Sequence, residues 1–451
     1  MLAEYLPTLS LLARLSIGSV GILANELREG IARGSPPQVT AYVSHHVAML
    51  ARENLIAAKL LQTLASHRSL AAPDWFPEFI KCCLSELHDN MVQYTDQVPY
   101  DNYDAESQCI RAAMEGEGWK LVGDRPIKAG TVSLIFELEH EESGARGIGK
   151  VIRTGVRSKL DQSLDEIRPL IHLLSLWTDG GEVEAAAEEI FSSLKQQTQL
   201  KDEAANCEQF RALCVNVDGL QVPRVLKVVS NDLVIFEHLE GEPVSEMDSS
   251  SQGRFEAWAK IWVKSFLVTA IADGKVHGDM HAGNFLFDSA SGRVSIVDFG
   301  VMYSASVEEA ERIQRTINDV LEQEEDVVDL VEWISTFCVN GLFVPHSVIN
   351  SLDESVRKEL KGKVSYFVKG ACENNLSQAL LSPNKLWQEV RSTPGCEELA
   401  LNSYGMKLWH ALTSGLGVLL TLCNGDWNTV FRVVKESISE TFELGLLSSG
   451  E

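Results

Sequence analysis

The chain has 451 residues, and 64 acidic against 39 basic side chains give it a net charge of −25. This length is sufficient for two or three lobes that each bury a core, and an apolar share of 45% with a charged share of 23% is ordinary for a globular protein. The acidic balance and the lack of any basic run in the sequence argue against phosphate neutralisation by lysine and arginine, so we expect no nucleic-acid partner.

The first 120 residues are predicted to be helical, because they contain few strand-like alternations. A β-rich pattern begins at Thr131 and predicts a hairpin, with a turn over Glu142 to Gly147 and a second strand that reaches Lys150. A helical zone is predicted to follow from Ser158 to Cys214.

Two further strands are predicted in VPRVLKVVSNDLVIFEHLEG, on either side of a turn at Ser230 to Asp232. After Phe255 the pattern is mostly helical, interrupted by VHGDMHAGNFLF and by GRVSIVDFG. This order predicts an α+β fold with an N-terminal helical extension (residues 1–120), a small lobe built on a sheet with a helical insertion (121–241) and a helical lobe (242–451).

The segment HGDMHAGN, from His277 to Asn284, allows three interpretations. His277 and His281 are four residues apart and could bind zinc from one helix face, with Asp279 nearby. The polar residues could instead only cap a turn. In the third interpretation the segment is a phosphotransfer loop, in which an aspartate accepts a hydroxyl proton and an asparagine five residues later holds Mg²⁺, and Asp279 and Asn284 have this separation.

Asp298 in VDFG favours the phosphotransfer interpretation. It follows the strand-like run RVSIV, and phosphate chemistry with magnesium needs a second oxygen ligand of this kind, whereas a zinc site does not. Gly278 and Gly283 also disfavour a helix that carries both histidines.

A nucleotide site in an acidic protein needs a local cation, and Lys150 in GIGKVI is the candidate for contacting phosphates. The run GARGIGK, Gly144 to Lys150, also has the spacing of a P-loop. This assignment is disfavoured because Val151 replaces the Ser or Thr that binds magnesium and because the glycines precede a strand instead of a helix.

The run QLKDEAANCEQFRALC predicts a helix with one apolar face that includes Glu203. A carboxylate in such a face is costly unless it is paired, and Lys150 is its predicted partner. The alternative is that Glu203 borders the face and reaches solvent. The apolar positions of the face are Leu200, Cys207, Phe210 and Cys214.

These segments, together with VPRVLKV and LVIFEHLEG, occur in an order that resembles the UbiB-like atypical kinases, the ubiquinone-biosynthesis or activity-of-bc-complex-one family. The resemblance covers roughly residues 50 to 335. It implies a bilobal protein-kinase-like fold, ATP and Mg²⁺ as cofactors, and ATP binding or hydrolysis that supports isoprenoid-quinone or other lipid metabolism.

The resemblance also implies roles for individual residues. Lys150, oriented by Glu203, would contact the phosphates of ATP, which we expect to bind between the two lobes. Asn284 and Asp298 would hold Mg²⁺, and Asp279 would act as catalytic base or orient the acceptor. The adenine would lie against the linker that begins at Glu237.

Three family elements are altered in this chain. The extension of the family carries a K-x-G-Q motif over the nucleotide site, and KLLQ supplies Lys59 and Gln62 in the matching place but replaces its glycine by Leu61. The acidic E-x-D element that faces this lysine corresponds to Gln197-Thr198-Gln199, which has no acid. The alanine-rich loop of the family corresponds to KAGT, where Gly130 is expected to contact phosphates.

Two other functions remain open at this stage. HGD-x-H-x-GN is also similar to the aminoglycoside and choline phosphotransferases, which phosphorylate small-molecule hydroxyls. A pseudokinase that binds nucleotide or lipid as a scaffold is the other alternative, because KLLQ and QTQ depart from the family pattern.

Nine scattered cysteines without a C-x-x-C spacing favour an intracellular, reducing compartment, cytoplasmic or organellar. The apolar stretches Tyr5 to Ala24 and Leu408 to Cys423 are predicted to be buried or surface helices, because Arg14 interrupts the first and the second is short and rich in Ser, Thr and Gly. Contact with a membrane is therefore expected to be peripheral at most.

Overall fold

The structure is a computed structural model. It describes residues 54, 56, 108, 110–112, 118–123, 125–130, 132–175, 182–243, 254–272, 274–280, 282–311, 352–374, 390–394, 396 and 403–443. These residues belong to two compact units: the first comprises the described residues up to Asp202 together with Val225–Glu237, and the second comprises Glu203–Arg224 and the described residues from His238 onward.

Eleven strands and seven longer helices are defined within the described residues. The strands are β1 (Trp119–Leu121), β2 (Lys128–Ala129), β3 (Ser133–His140), β4 (Arg146–Ile152), β5 (Leu220–Gln221), β6 (Val225–Val228), β7 (Leu233–Glu237), β8 (Lys275–His277), β9 (Phe285–Asp288), β10 (Arg293–Ile296) and β11 (Met302–Ser304). The helices are α1 (Val156–Ser175), α2 (Glu182–Gln197), α3 (Leu200–Leu213), α4 (Phe255–Ala272), α5 (Glu354–Asn374), α6 (Ser403–Leu422) and α7 (Trp427–Glu443).

The first unit is built on an antiparallel sheet. Its strands lie in the order β1-β3-β4-β7-β6, and β2 pairs with β3. Alternate residues of the central strands point to one face and form an apolar core there, as expected for a sheet with one buried face. The core residues are Ile110, Leu134, Phe136, Leu138, Val151, Leu233 and Ile235.

The hairpin of β3 and β4 confirms the predicted pair of strands but corrects the position of the turn. The turn occupies residues 141–145, because Gly144 adopts a φ of 66° and its N–H donates to the His140 carbonyl at 2.8 Å. Gly147, predicted to be in the turn, lies in β4, where a β-carbon would come within 2.8 Å of the Trp119 ring. Trp119 itself belongs to β1, so the predicted helical extension ends before that strand.

The helices of the predicted insertion follow β4. Asn54, from the N-terminal segment, is fully buried against α1, where its Nδ2 donates to the carbonyl of Ser163 at 2.7 Å and to the carboxylate of Glu166 at 3.4 Å. Between α2 and α3, the chain turns at Thr198, whose carbonyl accepts a 2.5 Å hydrogen bond from Arg157.

The second unit contains two small sheets. In one, β10 pairs in parallel with β5 and antiparallel with β9; in the other, β8 pairs with β11. The linker after β7 joins this unit through Glu242, whose backbone exchanges two hydrogen bonds with Phe287 of β9. The strands before and after HGDMHAGN therefore belong to different sheets: β8 pairs with β11, and β9 pairs with β10.

A set of ion pairs connects α4 to α7. The carboxylates of α7 face lysines of α4, and Arg432 of α7 binds Glu256 of α4 through both of its terminal nitrogens. The ion pairs are Lys260–Glu436 (2.6 Å), Lys260–Glu440 (3.0 Å), Lys264–Glu440 (2.5 Å) and Arg432–Glu256 (2.6 Å).

Helix α6 packs closely against α4 at Gly415. A β-carbon at this position would lie 2.1 Å from the Trp262 ring and 3.4 Å from Met280 in HGDMHAGN. Only glycine therefore allows α6 to approach both residues. This helix contains most of the apolar stretch Leu408 to Cys423, and none of the described helices combines the length and apolar character needed to cross a membrane.

Candidate active site

The HGDMHAGN segment is a loop that connects β8 to β9. His277 ends β8, the chain then turns through Gly278 and Asp279, and a short 3-10 helix over Ala282–Asn284 leads into β9. The Nδ2 of Asn284 donates to the carbonyl of Asp279 at 2.9 Å, so the two residues are fixed relative to each other. None of the described residues of this loop is in an α-helix, which disfavours the helix face required by the zinc interpretation.

His277 organises this loop from its buried position. Its Nδ1 accepts a 3.1 Å hydrogen bond from the backbone N–H of Asp279. The ring is therefore protonated on Nε2, which donates to the carbonyl of Asp298. Both ring nitrogens are occupied by hydrogen bonds within the protein, which argues against a role as zinc ligand and shows that His277 supports the loop.

Asp298 follows β10 and is held beside the loop. One oxygen of its carboxylate accepts a 2.9 Å hydrogen bond from the N–H of Gly300. Asn284 and Val297 are also joined, because the Val297 N–H donates to the Asn284 carbonyl at 3.1 Å. The two predicted metal ligands, Asn284 and Asp298, thus lie on segments that are hydrogen-bonded to each other.

Two residues of the loop allow this close arrangement. A β-carbon on Gly278 would come within 2.7 Å of Val301 and 2.6 Å of Tyr303, and the N–H of Gly278 donates to the Val301 carbonyl at 2.9 Å. Met280 is fully buried and lies against α6 at Gly415. Gly278 is therefore required because the backbone approaches Val301 and Tyr303 too closely for a side chain. Met280 fixes the loop to α6 through its buried side chain.

Helix α3 presents its predicted apolar face to the interior. Glu203 is 2% exposed, so the alternative in which it borders the face and reaches solvent is wrong. Further along the helix, the Phe210 ring packs against Phe299 at 5.1 Å and against His277 at 6.3 Å between centroids. The other members of the face, Leu200, Cys207 and Cys214, are also buried.

Lys150 lies in β4 of the first unit and is 5% exposed. It is opposite Ile135 of β3 and Val234 of β7, which alternate with the residues of the apolar core. Lys150 therefore lies on the sheet face that is opposite the core, whereas Gly147 and Gly149 lie on the core side under Trp119 and Leu138. The glycines make room for packing within a strand, which supports the rejection of a P-loop.

Gly130 and Glu237, both predicted to contact the nucleotide, lie at the ends of strands in the first unit. Gly130 lies in the turn between β2 and β3, where its N–H donates to the Ser133 carbonyl at 2.8 Å. It does not adopt a positive φ, so the turn does not depend on the backbone freedom of glycine. Glu237 is the last residue of β7, and the division between the two units follows it directly.

Some of the predicted site residues lie outside the described part of the chain. They are Lys59 and Gln62 of KLLQ, together with His281 and Thr131. The role of KLLQ therefore stays a prediction.

The residues of the second unit have the chemistry of a magnesium site. The amide oxygen of Asn284 and the carboxylate of Asp298 are hard oxygen ligands, which Mg²⁺ prefers and commonly supplements with water and substrate phosphates. Because Asn284 donates through its nitrogen to Asp279, its amide oxygen is the atom oriented for a cation. Among the described residues, no group of three or more His, Cys, Asp or Glu side chains is placed to hold a metal.

One residue of this region was not predicted from the sequence. The Nδ2 of Asn206, on α3, donates to the carbonyl of Phe299 at 3.2 Å. Its position three residues after Glu203, at the border of the apolar face, is the signal that could have indicated an inward-pointing polar side chain.

Comparison with known proteins gives a consistent result. Residues 95–331 match the model of the ABC1 atypical kinase-like domain. An uncharacterised aarF domain-containing protein kinase from chloroplasts of Arabidopsis thaliana is 24% identical over 54% of this chain and 33% of its own length. A probable protein kinase UbiB of Vibrio parahaemolyticus is 26% identical over 47% of this chain and 39% of its own length.

The chain thus spans between a third and half of the length of these curated relatives. Among solved structures, a Mycobacterium tuberculosis protein in complex with erythromycin is similar with a TM-score of 0.47 and 18% identity, covering 84% of this chain and 90% of that protein.

Proposed function

Because the chain belongs to the ABC1 atypical kinase-like family, we propose that it binds ATP with Mg²⁺ and acts as an atypical kinase or ATPase. The observation that carries the proposal is the hydrogen-bonded arrangement of the HGDMHAGN loop and the segment after β10. It brings an aspartate, an asparagine and a second aspartate together in the order and with the ligand types that Mg-dependent phosphoryl transfer uses.

Each residue has a proposed task. Asn284 and Asp298 would hold Mg²⁺, whose chemistry is the neutralisation of charge on the phosphate oxygens. Asp279, which is partly exposed, would accept the proton of an attacking hydroxyl or water, or orient that group. Its backbone is fixed on both sides, by His277 at the N–H and by Asn284 at the carbonyl, so the carboxylate starts from a defined position.

Residues of the first unit, together with Glu203 of the second unit, would supply the contacts to the phosphates and the adenine. Lys150 would bind the α- and β-phosphates, with Glu203 as its charge partner, because both charges are buried and a buried charge must be compensated. Gly130 in the turn between β2 and β3 would cover the phosphates, and the adenine would lie against the linker that begins at Glu237. KLLQ would contribute Lys59 and Gln62 to the cover of this site.

The proposed acceptor is a lipid or an isoprenoid-quinone intermediate, or water in the case of an ATPase. This part of the proposal rests on the likeness to UbiB-named kinases. Association with a membrane would be peripheral. The proposed compartment is intracellular and reducing, in line with the buried free thiols of Cys207, Cys214, Cys396 and Cys423.

Thermal unfolding with and without Mg-ATP tests the nucleotide site directly. At about 100 times its dissociation constant, a ligand that binds only the folded state stabilises it by about 2.7 kcal/mol. We expect Mg-ATP to raise the melting temperature of the wild type, and Asp298→Asn to abolish both this increase and the Mg-dependent turnover of ATP, because the substitution removes the charge that holds the cation.

Asp288→Asn is the matched control. Asp288 ends β9 in the same unit, four residues after Asn284, and its carboxylate accepts hydrogen bonds from Ala290 and Ser291 in the turn between β9 and β10. This variant should keep the response to Mg-ATP. A wild type that neither gains stability with Mg-ATP nor hydrolyses it, or an Asp298→Asn variant with full turnover, would contradict the proposal.

A further inference from the structure

Helix α3 carries two polar residues on the side that faces the interior. Glu203 is buried in the first turns, and Asn206 follows three residues later, in front of Phe210. Positions separated by three and four residues lie on one side of a helix, so these side chains form a row. Two residues on this side of α3, Asn206 and Phe210, contact Phe299 in the segment Asp298-Phe299-Gly300.

The first contact is between aromatic rings. Phe210 packs against Phe299 at 5.1 Å, and both rings lie near His277, at 6.3 Å and 5.5 Å. The second contact is polar, because Asn206 donates from Nδ2 to the backbone carbonyl of Phe299 at 3.2 Å. Helix α3 therefore holds Phe299 both by its ring and by its backbone.

The polar contact determines the orientation of one peptide group. The carbonyl of Phe299 and the N–H of Gly300 belong to the same planar peptide unit and point in opposite directions in the trans form. Asn206 binds the carbonyl end, and the carboxylate of Asp298 accepts the N–H end at 2.9 Å. A rotation of this peptide would break both hydrogen bonds, so Asn206 fixes the group that orients the Asp298 carboxylate.

We propose that Asn206 is a positioning residue that holds the Asp298 carboxylate in place through the Phe299–Gly300 peptide. This inference rests on the proposed function, in which Asp298 is a Mg²⁺ ligand. It adds a link between the helix that carries Glu203 and the segment that carries the metal ligand, so that the position of α3 and the orientation of Asp298 depend on each other.

Two variants distinguish the hydrogen bond that Asn206 donates from the packing of its side chain. Asn206→Ala removes the side-chain amide, and Asn206→Asp keeps the shape but replaces the donor by an acceptor that cannot bind a carbonyl. We expect both variants to need about five to ten times more Mg²⁺ for half-maximal ATP turnover, since a single hydrogen bond contributes about 1 kcal/mol and its loss affects the ligand directly. If packing alone were important, Asn206→Asp would resemble the wild type.

Gln209→Ala is the matched control on the same helix. Gln209 accepts a hydrogen bond from Lys275 of β8, so this variant also removes a side-chain contact of α3, but to a strand other than the segment 298–300. Its half-maximal Mg²⁺ concentration should stay within about twofold of the wild type. Equal Mg²⁺ dependence in the Asn206 and Gln209 variants would overturn the inference.

Amide hydrogen exchange, measured on the protein without nucleotide, tests the positioning role independently of whether the protein binds or hydrolyses ATP. We expect the amide of Gly300 to exchange about five to ten times faster in Asn206→Ala than in the wild type or in Gln209→Ala, because the peptide that presents it is released. Unchanged exchange would refute the positioning role even in an active enzyme. Faster exchange in a protein that does not bind Mg-ATP would support the positioning role and reject only the proposed function.

Discussion

Glu203 and Lys150 are two buried charges whose positions follow from two different periodicities. Steps of three and four residues place Glu203 within the apolar face of α3, and strand alternation places Lys150 on the sheet face opposite the core. Removing a charge from water costs several kcal/mol unless a partner compensates it. Pairing the two side chains would offset the free-energy cost of burying both charges. This pairing stays a prediction.

A double-mutant cycle tests the pairing of Lys150 with Glu203. If the two charges act as a pair, Glu203→Gln and Lys150→Met should each lower ATP turnover, and the double variant should lose far less than the sum of the two single losses. We expect a coupling free energy above about 1 kcal/mol, from turnover measured at saturating Mg²⁺. Glu208→Gln, on the exposed side of α3, serves as control. Additive effects of the two substitutions would show that the residues act independently.

At the scale of helices, the ion pairs between α4 and α7 make the stability of the second unit depend on pH. The hydrogen bond from Arg432 lowers the pKa of Glu256, and hydrogen bonds from lysines lower the pKa of Glu436 and Glu440 below the ordinary value near 4.5. The stability from these carboxylates is present above pH 4.5 and is lost as the pH falls through their folded pKa. Hydrogen bonding to Glu436 raises the pKa of Lys260 above 10.5, so its contribution is complete below that pH and is lost as the pH rises further.

Glu440→Gln should lower the free energy of unfolding by about 1 kcal/mol at pH 7, because it removes the acidic partner shared by Lys260 and Lys264. The difference from the wild type should be smaller at about pH 3, because Glu440 loses its charge, and with it the ionic contribution, as the pH falls through its lowered pKa. Urea unfolding at the two pH values measures both quantities.

Glu359→Gln is the control for this prediction, since Glu359 pairs with Lys363 within α5 on an exposed surface. Its effect should be close to zero at either pH. A Glu440→Gln variant that is as stable as the wild type at pH 7, or destabilised equally at both pH values, would contradict an ionic role.

Longer elements were predicted well from the sequence, and short ones were not. β3, β4, β6 and β7 have four to eight residues each, and α3 shows a continuous apolar face. β8 and β11 have three residues each, which is too short for any period, and they form only because they pair with each other. The hydrogen bond from Asn206 to Phe299 and the contact of Gly415 with Trp262 join residues far apart in sequence, so the periodicity shows the face but not the partner.

For the whole molecule, the match to the ABC1 atypical kinase-like domain, with the antiparallel sheet and the helices, confirms the predicted α+β bilobal kinase-like fold and the resemblance to UbiB-like kinases. The sequence motifs were sufficient to predict the fold and the family, because a phosphotransfer loop requires particular residue types at fixed spacings. The acceptor could not be derived in this way, since it is chosen by surfaces that no short motif encodes.

Two buried thiols should report the opening of the second unit. Burial raises the pKa of Cys214 to about 12 and that of Cys423 to about 11. Only the thiolate is an efficient nucleophile, so both residues should resist alkylation at pH 8 in the folded protein and react rapidly in denaturant. Peptide mass spectrometry locates the label. Rapid labelling of either cysteine under native conditions would show that its surroundings open locally, with a free energy far smaller than that of global unfolding.

The contact between Gly415 and Trp262 means that the protein needs more chain to fold than its family domain contains. The family match ends at residue 331, yet α6 covers Trp262 and Met280, and α7 supplies acidic partners of Lys260 and Lys264. A fragment that stops at the family boundary would expose an aromatic surface at Trp262, beside the HGDMHAGN loop, and leave those lysines without these partners. We expect such a fragment to aggregate on expression, whereas a chain that extends through Glu443 keeps the support of its loop.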